Sequence, residues 1–298
     1  MKRLTCFAPA KLNLFLHITG RREDGYHLLE TVFRFIDFGD TLHLSRRDDG
    51  LIVRTQPLAN VAEEQDLCVR AARLLQQRSG VRFGADIALD KRLPMGGGLG
   101  GGSSDAASVL LGLNRLWNLN WPRLQLQDLA LELGADVPVF VFGTNAYARG
   151  IGEILQAVEL PRAWYVVLIP PVQVSTAKIF AHEQLTRNSK AIRITDFSAG
   201  GKTPVKLAGA EALDTEKLRR ATRNDLQAVV SEECPPVAEC LAWLNLHAEA
   251  RMTGSGACVF AEFSDEAAAA RVFAAMPGAM RGFMARGLDR HPQYDNAA

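Results

Sequence analysis

The chain has little of what would set it apart from ordinary globular proteins. Its five cysteines are scattered, odd in number and form no Cys-x-x-Cys pair, which argues against a disulfide framework or a zinc site. Lysine and arginine (34) balance aspartate and glutamate (33), so no basic field favours binding to nucleic acid or to a membrane surface. No apolar run is long enough for a signal peptide or a membrane span. These absences predict a cytoplasmic protein with reduced thiols.

The composition allows a large core or two domains. The chain has 298 residues, of which 48% are hydrophobic and 22% are charged. The organisation restarts near Leu160, where the apolar strand "WYVVLIP" begins. We therefore predict an N-terminal domain over 1–158 and a C-terminal domain over 159–298. Helices and antiparallel strands segregate in the second half, which predicts an α+β architecture.

Two features of the first half bear on function. Residues 11–18 alternate, with leucines and isoleucine on one face and Lys11 and Asn13 side by side on the other, which predicts a half-buried strand. The run "GADVPVFVFGTNAYARGIGEIL" predicts a turn followed by antiparallel strands. In the second half, a polar stretch over 187–215 predicts a mobile excursion from the domain.

The most unusual stretch is "LPMGGGLGGGSSDAASVLLGLN", with six glycines in the seven positions 96–102. Glycine lets backbone approach a ligand closely, at a cost in ordering entropy. Ser103 or Ser104 can serve as the N-cap of the helix that follows, with Asp105 in its first turn. Because a helix N-terminus presents unpaired N–H groups and partial positive charge, the run predicts a phosphate cradle. The alternative of a flexible linker remains.

A second alternative is a dinucleotide-binding loop, since Gly96, Gly98 and Gly101 fit the spacing Gly-x-Gly-x-x-Gly. That fingerprint needs a strand directly before it and an acidic residue about 20 positions later. Here Pro94 and a charged turn intervene, and Asp128 lies too far along, in another helix. An NAD-dependent oxidoreductase is therefore a weaker reading than a phosphate cradle.

Several separated motifs, in order, resemble those of the GHMP kinases. They are "PAKLNLFL" near the N-terminus, "PMGGGLGGGSSDAA" in the glycine run and "MTGSGACVF" near the C-terminus. "GRREDGYHLLETVF" and "LGADVPVF" narrow the resemblance to members that act on a cytidine diphosphate derivative of methylerythritol in isoprenoid precursor synthesis. The resemblance implies a ribosomal-protein-S5-like N-terminal domain and a ferredoxin-like C-terminal domain. It also implies ATP as co-substrate with Mg²⁺, a monomer or weak homodimer, and no nucleic-acid or membrane partner.

The resemblance also assigns site residues. The ATP phosphates would lie on the glycine run, which consists of Pro94, Met95, Gly96, Gly97, Gly98, Leu99, Gly100, Gly101, Gly102, Ser103 and Ser104. Asp136 would be the general base and Lys11 its partner, because a nearby ammonium keeps a carboxylate ionised and stabilises transferring phosphoryl oxygens. No protein metal ligand stands out beyond a serine. From the residues alone, Asp136 could instead be a helix N-cap and Lys11 a solvated lysine.

For the acceptor, the resemblance places the cytidine diphosphate group near Asn13, Tyr26, His27 and Phe180. Aromatic faces can stack a pyrimidine, and an imidazole can read its hydrogen-bonding edge. Phe180, on the apolar face of its helix, could instead be plain core. Other kinases of the family, of the homoserine or mevalonate type, are expected to lack the Gly25–His27 segment. An inactive nucleotide sensor would be expected to lack Lys11 or Asp136.

Overall fold

The computed structural model describes residues 2–58, 61–200 and 209–294. Within these residues the strands are β1 Arg3–Arg21, β2 His27–Arg47, β3 Ile52–Arg54, β4 Gly84–Asp90, β5 Ala146–Arg149, β6 Ile154–Glu159, β7 Trp164–Leu168, β8 Glu211–Ala212, β9 Ala250–Met252, β10 Val259–Phe263 and β11 Gly282–Leu288. The helices are α1 Leu67–Ser79, α2 Gly101–Leu116, α3 Arg123–Leu133, α4 Val137–Phe142, α5 Thr176–Ala181, α6 Thr215–Ala221, α7 Gln227–Glu233, α8 Pro235–Asn245 and α9 Glu266–Ala274. This mixture agrees with the predicted α+β class. No helix in the described ranges has the length and apolarity to cross a membrane.

The long antiparallel hairpin of β1 and β2 is the centre of the first half. On its other edge β2 pairs in turn with β5, β11 and β4, all antiparallel. Helices α1 to α4 cover one face of this sheet and form the first core. Residues 11–18 of β1 are buried on both faces, so the prediction of a half-buried strand was wrong. The second face is covered because the C-terminal half packs on it, as in the backbone hydrogen bonds between Leu16 and residues 223 and 225.

Strand β11 joins the two halves of the chain. Its first part pairs with β7, and its last two residues, Gly287 and Leu288, pair with β2. The chain then returns to the first half, where the N–H of His291 donates to the carbonyl of Gly143 and the Tyr294 hydroxyl approaches Val141. The predicted boundary between 158 and 159 falls inside β6. The two-domain division therefore stays a prediction, with a continuous sheet across it.

Two local predictions were wrong for reasons visible in the backbone. The apolar run 137–142, predicted as strand, is helix α4, which begins after Asp136 with Pro138 in its first turn and ends at Gly143 in the left-handed conformation. Helix α2 begins at Gly101 after Gly100 (φ 71°), so neither Ser103 nor Ser104 is its N-cap. The predicted excursion over 187–215 contains a short 3-10 helix, Ile194–Phe197, and strand β8, while its residues 201–208 lie outside the described ranges.

Gly39 of β2 tests how tightly the central hairpin is packed. A Cβ at Gly39 would lie 2.1 Å from the carbonyl oxygen of Ala8 in β1, and backbone cannot yield as a flexible side chain can. We expect Gly39→Ala to lower the free energy of unfolding by about 2 kcal/mol or more, because overpacking forces the strands apart. The control Gly278→Ala, where no atom lies within 4 Å, should stay within about 0.5 kcal/mol of wild type. Urea unfolding measures both, and equal midpoints would contradict the expectation.

Candidate active site

The glycine run forms one wall of a cavity of about 360 Å³. Gly96, Gly98 and Gly100 have φ of 69°, 74° and 71°, values that side-chain-bearing residues rarely adopt. The carbonyls of the run are anchored: that of Gly97 accepts from the N–H of Cys258, and that of Leu99 from the N–H of Lys11. These bonds fix the path of the loop above the cavity.

The first turn of α2 supplies donors at the same place. The first bond of the helix runs from the N–H of Ser104 to the carbonyl of Gly100, so the N–H groups of Gly101, Gly102 and Ser103 precede the intrahelical ladder. A helix N-terminus of this kind favours an anion. All the predicted residues from Pro94 to Ser103 line the cavity. Ser104 does not: it is fully buried and its hydroxyl donates to the carbonyl of Pro9 at 2.7 Å, so that side chain is turned away from the site.

Behind the loop, Lys91 holds two carboxylates. Its Nζ lies 2.5 Å from Asp40 and 2.8 Å from Asp105, both of which are buried. Asp40 also accepts from the N–H groups of Arg92 and Leu93. Asp105 has one oxygen without a partner among the described residues. Burial raises the pKa of Asp105 to about 7, against the lowering effect of Lys91, and the negative charge of Asp40 adds to the rise.

Lys11 and Asp136, predicted to act together, meet where the glycine loop borders a second cavity. Lys11 Nζ lies 3.3 Å from the Asp136 carboxylate, 2.5 Å from Asn13 Oδ1 and 3.1 Å from the carbonyl of Gly98. The Lys11 side chain is 2% exposed and that of Asp136 is 40% exposed. The ammonium is thus buried, with hydrogen bonds to Asn13 and Gly98 and an ion pair to Asp136, whereas the carboxylate is partly exposed in the cavity.

The alternative readings of these two residues do not describe the structure. Asp136 occupies the N-cap position of α4, but its side chain makes no capping hydrogen bond. Lys11 is not a solvated lysine, because β1 is buried on both faces at that position. The arrangement leaves Asp136 free to accept a proton from a ligand in the cavity, with a positive charge beside it.

The second cavity, of about 700 Å³, is lined by the four predicted acceptor residues, Asn13, Tyr26, His27 and Phe180. Tyr26 is 58% exposed at its mouth, and the rings of His27 and Phe180 lie 4.9 Å apart at 31°. Phe180 also packs partly against the C-terminal core, while its role in binding the acceptor stays a prediction. Asn13 is already engaged, since its oxygen accepts from Lys11 and its amide donates to Thr31. Its clearest task is to hold Lys11.

Thr253, in the "TGSG" turn, was missed as an individual residue. Its hydroxyl accepts from the N–H of Asn13 at 2.9 Å and donates to the carbonyl of Gly98 at 3.2 Å. One turn of the C-terminal half thereby fixes both β1 and the glycine loop. Nearby, the hydroxyls of Thr176 and Ser255 hydrogen bond at 2.7 Å, and both residues line both cavities. The "TGSG" motif was visible in the sequence, but the partners of the Thr253 hydroxyl were not.

Comparisons with known proteins identify the family. The model for the GHMP kinases N terminal domain matches residues 66–144, and that for the GHMP kinases C terminal domain matches residues 207–282. A relative from Thiobacillus denitrificans named 4-diphosphocytidyl-2-C-methyl-D-erythritol kinase is 59% identical over 97% of this chain and 96% of its own. One of the same name from Nitrosospira multiformis is 57% identical over 99% and 94%. The chain belongs to the GHMP kinase family.

Solved structures place the fold in the same family. A crystal structure of 4-(cytidine 5'-diphospho)-2C-methyl-D-erythritol kinase superposes with a TM-score of 0.77 at 31% identity, covering 95% of this chain and 99% of that one. Mevalonate kinase from Methanococcus jannaschii superposes with a TM-score of 0.69 at 13% identity, which shows the shared fold alone. As a GHMP kinase the chain is an ATP-using phosphotransferase, and the reading as an NAD-dependent oxidoreductase was wrong.

The buried group of Lys91, Asp40 and Asp105 behind the glycine loop leads to a prediction about the pH dependence of stability. The pKa of Asp105 rises from about 3.8 in the unfolded chain to about 7 in the folded protein. Between these values the folded state binds more protons, so the wild-type free energy of unfolding falls as pH rises. Asp105→Asn cannot titrate, so its stability relative to wild type should grow between pH 4 and 7, by roughly 1 kcal/mol per pH unit, and then level off.

Urea unfolding at pH 5, 6, 7 and 8 measures this difference. Asp128→Asn, which changes an exposed carboxylate of α3, is the matched control and should track wild type at every pH. A difference between Asp105→Asn and wild type that stays constant with pH would show that Asp105 remains ionised in the folded protein throughout.

Proposed function

We propose that the chain transfers the γ-phosphoryl group of ATP to the 2-hydroxyl of 4-diphosphocytidyl-2-C-methyl-D-erythritol, in the non-mevalonate route to isoprenoid precursors. The products are the 2-phosphate and ADP. The observation that carries the proposal is the full-length similarity, at 52–59% identity, to kinases named for that acceptor. It is supported by the second cavity, where aromatic side chains lie beside the Lys11–Asp136 pair.

ATP would bind with its phosphates at the glycine run and the first turn of α2. The free N–H groups there give fixed donors for phosphate oxygens, and the loop is anchored from both halves of the chain. Because Gly98 and Ser103 line both cavities, the γ-phosphate would lie at their junction. The acceptor hydroxyl then has only to reach this junction from the other side.

We also propose that Mg²⁺ accompanies the nucleotide. Within the described ranges no cluster of three or more His, Cys, Asp or Glu side chains could hold a metal, while Ser103 offers a hydroxyl at the junction. This donor set fits an ion that takes most of its ligands from phosphate oxygens and water, as Mg²⁺ does. When bound, it neutralises phosphate charge.

In this mechanism Asp136 takes the proton of the 2-hydroxyl. The hydroxyl oxygen of the acceptor bonds to the γ-phosphorus while the bond between that phosphorus and the ADP oxygen breaks. Phosphoryl transfer needs positioning and charge stabilisation more than covalent chemistry. Lys11, buried and held by Asn13 and Gly98, keeps its charge at one position near the transferred group. Tyr26 and Phe180 would stack the cytosine, and His27 would read its edge.

A second candidate is a GHMP kinase with another small acceptor, of the mevalonate or homoserine type. The shared fold favours this candidate as much as the first. The aromatic side chains of the second cavity do not favour this candidate, because neither mevalonate nor homoserine has an aromatic base that they could stack. ATP consumption measured against a panel of acceptors separates the two. The cytoplasmic location, the monomer or weak homodimer, and the lack of nucleic-acid and membrane partners stay predictions.

The base assignment predicts a specific kinetic defect in Asp136→Asn. We expect kcat to fall roughly 10²- to 10⁴-fold, because an amide cannot take the proton. The Kd for ATP should hardly change, since Asp136 lies on the acceptor side of the junction. Steady-state kinetics and calorimetry measure the two quantities. Asp128→Asn should leave both unchanged, and near-normal turnover of Asp136→Asn would show that positioning alone carries the reaction.

The acceptor assignment predicts base selectivity. We expect Tyr26→Ala to weaken acceptor binding by about 1–3 kcal/mol through lost stacking while ATP binding stays constant. The wild type should prefer the cytidine acceptor to its uridine analogue by more than stacking provides, since a mismatched edge leaves buried polar groups unpaired. kcat/KM for the two acceptors is the measurement. Equal use of both by the wild type would refute base recognition and leave a kinase of unknown acceptor.

A further inference from the structure

The ring of His27 is held by a residue outside the motifs discussed so far, Arg187. Arg187 Nε donates to His27 Nε2 at 3.3 Å. The rest of the guanidinium is fixed by three backbone carbonyls: Nη2 donates to Phe180 at 3.0 Å and to His182 at 2.6 Å, and Nη1 donates to Leu185 at 3.3 Å. With its other nitrogens engaged, Arg187 presents one N–H to the imidazole in a set direction.

This contact determines where the imidazole carries its proton. Arginine stays protonated and has no acceptor, so the nitrogen facing it must offer a lone pair. Burial lowers the pKa of His27, and the positive charges of Arg187 and Arg21 lower it further, which favours the neutral ring. A neutral imidazole that accepts at Nε2 carries its proton on Nδ1.

The Nδ1–H group is available to a ligand. His27 lines the acceptor cavity, and Nδ1 has no hydrogen-bond partner among the described residues. Nδ1 is also absent from the buried polar atoms without partners in that part of the chain, so it remains accessible. The cavity therefore contains a single, fixed N–H donor on its histidine.

We propose that Arg187 is a positioning residue that selects cytosine over uracil by holding His27 as the Nδ1–H tautomer, whose N–H donates to N3 of the base. N3 is an acceptor in cytosine and an N–H donor in uracil, so the same ring nitrogen fits the first base and opposes the second. The inference rests on the proposed function, because it takes the cytidine acceptor as given.

A purely structural role for Arg187 predicts a different outcome. Its bonds to the carbonyls of Phe180, His182 and Leu185 support the segment that carries the stacking ring of Phe180. Loss of that support would weaken binding of the cytidine and uridine acceptors alike. Loss of the fixed tautomer would instead change the preference for the cytidine acceptor over the uridine acceptor. An imidazole released from Arg187 can carry its proton on either nitrogen and present the other nitrogen as a hydrogen-bond acceptor.

The test compares Arg187→Met with Arg21→Met. Arg21 is the matched control, since its charge also lowers the pKa of His27 but its Nε donates to the carbonyl of Gly25 rather than to the ring. ¹⁵N-edited NMR of the free protein at pH 8 reports the His27 tautomer without any acceptor. We expect Nδ1–H in wild type and in Arg21→Met, and a mixture of both tautomers in Arg187→Met.

The kinetic readout is the ratio of kcat/KM for the cytidine acceptor to that for the uridine acceptor. We expect a ratio of at least about 10² in wild type and in Arg21→Met, and a fall of about tenfold or more in Arg187→Met. An Nε2–H tautomer in wild type, or an unchanged ratio in Arg187→Met, overturns the inference while the proposed function stands. If the wild type phosphorylates neither acceptor, the proposed function has failed and the inference about the base falls with it.

Discussion

The carbonyl oxygen of Gly98 accepts hydrogen bonds from two side chains that lie far apart in the sequence, the Lys11 ammonium and the Thr253 hydroxyl. Gly98 has to be glycine, because its φ is 74° and a Cβ there would lie 2.1 Å from the carbonyl oxygen of Thr253. Three separate motifs thus meet at one backbone atom. Since Thr253 also accepts from the N–H of Asn13, a shift of the C-terminal turn would move the glycine loop and β1 together.

The contacts around the carbonyl of Gly98 explain why a charged side chain can be buried at the centre of the fold. An isolated ammonium in such a place would cost several kcal/mol, and Lys11 is tolerated because Asn13 and Gly98 accept from its Nζ and the Asp136 carboxylate pairs with its charge. The C-terminal half is needed to keep two of these acceptors in position. The site is consequently a property of the whole chain, in agreement with a sheet that β11 continues from one half into the other.

Local patterns in the sequence predicted what depends on local chemistry. The glycine run and the alternation of β1 were readable from local patterns, whereas the predicted residues that line the two cavities came from the family resemblance. The burial of both faces of β1 was not, because Asn13 and its partner Thr253 are 240 residues apart. The prediction that Ser104 contributes to the phosphate site was wrong for a similar reason. Its hydroxyl donates to the carbonyl of Pro9, and no spacing within the glycine run reveals that contact.

The chain contains two lysine–aspartate groupings around the same loop, and burial separates their roles. Behind the loop, Lys91 faces two buried carboxylates, and burial raises the pKa of Asp105. In front of it, Lys11 is the buried partner and Asp136 is 40% exposed in the acceptor cavity. Of the two arrangements, the second leaves a carboxylate exposed in the cavity that is proposed to bind the acceptor. The same pair of residue types therefore supports the loop from one side and, in the proposed mechanism, takes up the substrate proton on the other.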